Sequence, residues 1–236
     1  MERLDKIIAS QGKYSRSEVK KLVKQGRITL DGAAIKSADV KVDPSKVQIA
    51  VDGEKLCYQK YVYIMLNKPK GVISATTDNT QKTVIDLVPR QMYRDGLFPA
   101  GRLDGDTTGF VLITDDGDFA HRILSPKNHI MKTYHATLKR PLNEDEYDKF
   151  KDGIVLGDGT VCMQSKVQML SDEPAVCEIQ ICEGKYHQVK RMFASTGNKV
   201  LELKRVKMGG LYLDENLPEG ECRLLTEDEV GLIERK

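Results

Sequence analysis

Residues 101–116 read GRLDGDTTGFVLITDD, with Arg102 two positions before Asp104 and further carboxylates at Asp106 and Asp115. Three chemistries could use such a stretch. Asp104, Asp106, Thr108, Gly109 and Asp115 fall on positions 1, 3, 5, 6 and 12 of a calcium loop, which needs a helix on each side. Here Phe98-Pro99-Ala100-Gly101 precedes the loop and FVLIT follows it as a strand, so that reading fails on its flanks. Asp104-Gly105-Asp106-Thr107 has the order of a phosphoryl-transfer nucleophile, which sits at the end of a buried strand. The preceding FPAGRL is broken by proline and glycine. The third reading uses one carboxylate. In an extended segment residues i and i+2 point the same way, which predicts the Arg102 guanidinium beside Asp104. A neighbouring cation keeps a carboxylate ionised in a partly dry site. An ionised, positioned carboxylate can act as nucleophile or base without a metal.

The elements that must hold this loop divide the chain in two. Leu4, Ile7 and Ile8 share a helical face that ends before Gly12. Ser15 and Glu18 have the spacing of a capping box, Val19, Leu22 and Val23 form the apolar stripe of the helix it starts, and Gly26 is placed to end it. RITL, the Asp31-Gly32 turn and AAIK then read as a β-hairpin. A boundary falls near residues 57–61, giving expected domains 1–58 and 59–236. Beyond it YVYIML, FVLIT, TYHATL and VCEIQI read as strands, and LNEDEYDKF and HQVKRMFAST as helices. With no regular βαβ alternation, the expected class is α+β: a small domain of helices and a hairpin, then a mixed, largely antiparallel sheet.

Composition narrows the function. The 236 residues are 40% apolar and 31% charged and contain no apolar run of membrane-spanning length. MERLDKIIAS lacks a signal-peptide core, so a cytoplasmic protein is expected. Five cysteines without a CxxC pair suit neither a disulfide scaffold nor a structural zinc site. The net charge of +2 hides an asymmetry: residues 1–60 hold 13 Lys and Arg against 8 Asp and Glu, and the remainder 24 against 27. Arg3, Lys6, Arg16, Lys20, Lys21, Lys24 and Arg27 supply the basic surface of the first piece, the kind of surface that binds nucleic-acid phosphates. A second basic stretch, residues 185–207, has seven Lys or Arg and one acid, Glu202.

RLDKIIASQGKYSRSEVKKLVKQGRITLDG resembles the S4 RNA-binding domain along nearly its whole length. GRLDGDTTGFVLITDDGDFAHRILSP resembles the GRLDxxTxGL motif of the RsuA-type pseudouridine synthases, with Phe110 where leucine is usual. LNKPKGVISAT at 66–76, KTYHATL at 132–138 and EGKYHQVKRMFASTGNKVLELKRVKMGGLYL at 183–213 resemble the same family in the same order.

The resemblance implies an enzyme that turns a uridine of ribosomal RNA into pseudouridine, most specifically uridine 516 of 16S rRNA. The base is flipped out, cut from ribose C1′ through N1, and rejoined through C5. Atoms are conserved and nothing is oxidised, so no cofactor or metal is implied. Asp104 would be catalytic, attacking C1′ or drawing the C2′ proton. Tyr134 would stack on the uracil and help remove the C5 proton. Lys190, with Arg191 as the alternative, would ion-pair with Asp104; Leu203 would floor the base and Arg102 would contact the RNA backbone. His121, His135 and His187 are given structural or RNA-contacting roles. EGKYHQVKRMF favours the small-subunit branch over the 23S branch, which tends towards EGxNxxVRR. The expected partner is 16S rRNA or a small-subunit assembly particle, with the protein a monomer. The alternatives are a 23S rRNA paralogue, or a non-catalytic S4-type RNA-binding or ribosome-assembly protein.

Overall fold

The computed structural model describes residues 1–235 and resolves them into two compact units. The first comprises Met1–Val62 together with Pro89–Leu97; the second comprises Tyr63–Val88 and Phe98 onward. The division thus falls after Val62 rather than residue 58, and the first unit takes back a segment, 89–97, that sequence reading assigned to the second.

In the first unit helices α1 (Leu4–Ala9) and α2 (Arg16–Lys24) pack on a four-stranded sheet ordered β3 (Ala33–Ala34), β2 (Ile28–Leu30), β5 (Ile49–Val51), β6 (Glu54–Lys55). A second ladder pairs β1 (Glu2–Arg3) with β4 (Lys41–Val42). Leu4, Ile7, Ile8, Val19, Leu22, Val23 and Ile28 form the core between them. The Ser15–Glu18 capping box is present in both directions and starts α2. Segment 89–97 is held because buried Arg94 donates to the carbonyls of Gln59 at 2.9 Å and Lys60 at 3.0 Å. Tyr93 O lies where a Cβ on Gly12 would be, 2.3 Å away, so only glycine fits that turn.

The second unit is built on one mixed sheet. Its strands are β7 (Tyr63–Lys68), β8 (Phe98–Pro99), β9 (Thr108–Thr114), β10 (Lys132–Leu138), β11 (Lys166–Asp172), β12 (Ala175–Ile181), β13 (Val200–Met208), β14 (Leu211–Tyr212) and β15 (Cys222–Leu224). The spatial order is β11-β12-β10-β13-β9-β7-β15, with β8 on β9 and β14 on β13. Among the described residues, every pairing between these strands is antiparallel except one: β13 runs parallel to β9, matching Lys204 to Thr108 and Arg205 to Gly109. Helices α3 (Gly117–Leu124), α4 (Glu144–Asp152), α5 (Gln188–Ser195) and α6 (Glu227–Ile233) accompany it. The largely antiparallel α+β expectation is met.

Strand β9 carries buried residues from Gly109 to Thr114 because both its faces are covered, which explains the near-continuous apolar run FVLIT. Phe110 and Leu112 join Met65, Phe119, Ile123 and Met208 in one core cluster. Helix α3, not foreseen from sequence, opens where Asp116 accepts from the Phe119 amide at 3.0 Å. Among the described residues no helix is long and apolar enough to cross a membrane.

Candidate active site

The parallel pairing of β9 and β13 decides where the chemistry-bearing residues meet. Two parallel strands begin at the same end of a sheet, so the loop leading into β9 and the helix leading into β13 arrive side by side. The loop is 101–107, carrying Asp104, and the helix is α5, carrying Lys190. The two strands also come close: a Cβ at Gly109 would sit 2.2 Å from the Arg205 carbonyl oxygen, so the Gly of the loop motif is a packing requirement. Arg205, fully within the sheet, donates its Nε to the Phe110 carbonyl at 2.7 Å and ties the junction.

Lys190 Nζ lies 3.0 Å from Asp104 Oδ2 and 2.5 Å from Asp106 Oδ1, so one cation bridges two carboxylates. Burial alone would lower the Lys190 pKa, but its hydrogen bonds to Asp106 and Asp104 outweigh this and raise it. The same contact holds the Asp106 carboxyl below its ordinary range, against partial burial. His187 Nε2 is a third neighbour, 3.6 Å from Asp104 Oδ1. Beneath the loop, fully buried Lys68 donates to the carbonyls of Thr107 at 2.7 Å, Pro69 at 3.1 Å and Gly105 at 3.3 Å. Burial pushes its amine down to about 8, partly offset by Asp106 and Asp104. The loop is thereby clamped from below by its backbone while Asp104 remains half-exposed above.

Arg102 does not stand beside Asp104 as the i, i+2 argument predicts. Leu103 is buried, with its amide on Ser74 Oγ at 3.0 Å, and Arg102 and Asp104 both turn outward. Yet the exposed Arg102 guanidinium pairs with no carboxylate among the described residues; the cation at Asp104 comes from 86 residues away. Arg191 is engaged elsewhere, 2.5 Å from Asp158. Tyr134 is buried on β10, in register with Arg205 of β13, and Leu203 pairs with Ala136 one row along. Asp106, Lys190, Leu203, Lys70, His135 and Lys204 line an open cleft of about 700 Å³; Asp104 and Tyr134 are outside its lining. His135 approaches Glu178 at 3.8 Å, and His121 is exposed on α3.

The basic surface of the first unit is smaller than charge counting implies. Arg3 and Arg16 both converge on Asp5, whose carboxyl has no exposed surface and is held at about 2, first by the Arg3 hydrogen bond. Lys6 pairs with Glu2 at 2.6 Å and Arg27 with Asp52 at 2.5 Å. Lys20, Lys21 and Lys24 are exposed and pair with no carboxylate among the described residues.

Sequence reasoning missed Lys68, Arg205 and the His187 contact. Lys68 left a faint signal, a lysine closing the apolar strand YVYIMLNK, where a solvent-facing residue is out of place.

Residues 62–195 match the family described as RNA pseudouridylate synthase, and residues 2–47 match the S4 domain. The chain is 44% identical over 233 residues to an RNA pseudouridine synthase of Bacillus subtilis (strain 168), YtzG, covering 98% of each. It is 41% identical over 233 residues to ribosomal small subunit pseudouridine synthase A of Escherichia coli (strain K12), covering 98% of this chain and 99% of that one. A crystal structure of a pseudouridylate synthase superimposes with a TM-score of 0.68 at 40% identity, over 99% of this chain and 100% of the other. The chain belongs to the RNA pseudouridylate synthase family. It is an isomerase that makes pseudouridine in RNA and carries an S4 RNA-binding domain at its N-terminus.

Proposed function

We propose that this enzyme converts one uridine of small-subunit ribosomal RNA, uridine 516 of 16S rRNA, to pseudouridine, with Asp104 as the reacting carboxylate. The observation that carries the assignment is the 3.0 Å pair between Lys190 and Asp104 at the β9–β13 junction. A lysine at that distance balances the carboxylate's negative charge when a base covers it and water is displaced. Either first step, attack on C1′ or removal of the C2′ proton, needs that anion. Both conserve atoms and electrons, so the chain's own groups suffice.

Lys190 positions Asp104 and balances its charge. Leu203, on the cleft wall beside Lys190, floors the flipped uracil. Tyr134 stacks on the base and assists loss of the C5 proton; its burial requires the uracil to enter over the β10–β13 row. Arg102, outward and without a carboxylate partner, contacts a phosphate. Arg191, held by Asp158, shapes the turn before α5 rather than meeting substrate. Residues 1–58 form the core of an RNA-binding domain that engages phosphates through Lys20, Lys21 and Lys24, and the unit of residues 63–88 and 98 onward forms the catalytic domain. The protein acts as a cytoplasmic monomer on 16S rRNA or a small-subunit assembly particle.

The small-subunit assignment rests on the relatives named ribosomal small subunit pseudouridine synthase A. Pseudouridine mapping of both rRNAs from a strain lacking this protein tests it. The expected result is loss of a single modification in 16S rRNA, restored by the wild-type gene. Loss in 23S rRNA, or an unchanged map, contradicts it.

A further inference from the structure

Tyr186 is the most exposed aromatic residue of the second unit, with 72% of its surface accessible. Exposure of a large ring has a solvation cost, and here the ring is stacked on a neighbour of Asp104. Its inner face stacks on His187, with centroids 3.8 Å apart and planes 17° from parallel. His187 in turn lies 3.6 Å from Asp104 and takes a left-handed backbone conformation, φ 46°, which is strained for a non-glycine residue.

The turn that carries the pair is braced on every side. Buried Glu183 accepts from the Met163 amide at 2.8 Å and from Gln188 Nε2 at 2.7 Å, and Lys185 closes on it as an ion pair. Gln188 Oε1 accepts from the Lys185 amide at 2.8 Å. Arg191, anchored on Asp158, reaches the Tyr186 carbonyl at 3.4 Å. This much internal bonding fixes a turn whose outermost group is an apolar ring with one face bare.

We propose that the outer face of Tyr186 is the stacking subsite for an unpaired RNA base adjacent to the target uridine. The target base belongs over Asp104 and Leu203. Tyr186 is one ring-stack further out than His187, which suits the neighbouring nucleotide rather than the target. Aromatic faces accept any unpaired base, because every base offers a π-surface. Stacking of that neighbour keeps the target extruded and spares the enzyme the cost of restacking between encounters. Tyr186 is therefore a positioning residue acting on the flanking strand. The strain at His187 is the cost of aligning the two rings. The inference rests on the proposed placement of the target uridine at Asp104.

The test uses the full-length protein and a small-subunit rRNA fragment that it modifies, carrying 2-aminopurine at the position 5′ or 3′ to the target. Binding is followed in Asp104→Asn protein, so that the substrate persists. Fluorescence should be quenched at one flanking position, the quenching kept in Tyr186→Phe and lost in Tyr186→Ala. With unlabelled RNA and Asp104 intact, Tyr186→Ala should raise KM about tenfold with kcat nearly unchanged, and Tyr186→Phe should behave as wild type. Quenching that survives Tyr186→Ala, or a Tyr186→Ala enzyme with wild-type KM, overturns the proposal. Turnover by Asp104→Asn would instead refute the placement of the target, an outcome read separately from the quenching.

Discussion

Lysines on α2 and lysines around the aspartate loop are the same residue put to opposite uses. Lys20, Lys21 and Lys24 are exposed and pair with no carboxylate among the described residues, so their charges are available to whatever approaches. Lys190 is shared between Asp104 and Asp106, and Lys68 is buried with its amine on three carbonyls. On the helix the number of charges matters and the geometry is loose; at the loop one ångström decides. Counting lysines therefore describes the first region and misdescribes the second.

Substitutions at three places sharpen that contrast. The largest effect belongs to Lys190. Lys190→Met should lower kcat by about a hundredfold or more, as removal of a preorganised charge does, while Lys190→Arg retains much of the activity. Equal losses in both variants, accompanied by a lower melting temperature, would make Lys190 a structural residue.

Lys68 should act on stability and its pH dependence. Its folded pKa, about 8, is below the unfolded value of 10.5, so between these limits the unfolded chain binds more protons and stability rises with pH. Below about pH 8 both states are protonated and the full burial cost is present, about 3 kcal/mol. Lys132, also pushed to about 8 by burial and then by Arg205, adds in the same direction. Buried Cys177 at about 12 and Cys222 at about 11 oppose it. The useful quantity is thus the difference between wild type and Lys68→Met in urea unfolding. That difference should move in favour of wild type from pH 8 to 10.5; a difference that stays flat across this window sinks the argument.

The smallest effect is expected on α2. Lys20→Ala, Lys21→Ala or Lys24→Ala should each reduce the slope of log K against log salt for RNA binding by roughly one or less. Arg27→Ala should change it less, since Asp52 already neutralises Arg27. Identical slope changes for all four would erase the distinction between free and committed cations.

What could be read from sequence follows the range of the interaction. The α2 capping box, its Val19-Leu22-Val23 stripe and the Asp31-Gly32 hairpin are set by neighbours within a few residues, and each was legible. Strands β7, β9, β10 and β12 were legible too, because apolar runs such as FVLIT survive burial on both faces, whereas β11 and the charged β13 were not. The motif that holds Asp104 pointed to the loop. The local i, i+2 rule put Arg102 beside Asp104, whereas the cation there is Lys190, which the family resemblance named and local spacing could not, because the pairing spans 86 residues and is set by a parallel strand pair. Lys68 escaped for a related reason: a buried lysine and a surface lysine are the same letter until the fold is known. The return of 89–97 to the first unit depends on Arg94 finding carbonyls of residues 59 and 60, which no periodicity announces.

The central claim is that Asp104, ion-paired to Lys190, does the chemistry. It is tested most directly by tritium release from [5-³H]uridine-labelled rRNA transcript, comparing wild type with Asp104→Asn under single-turnover conditions. Release by wild type and none above background by Asp104→Asn, with RNA binding preserved in the variant, is the expected result. Measurable release by Asp104→Asn would contradict the account.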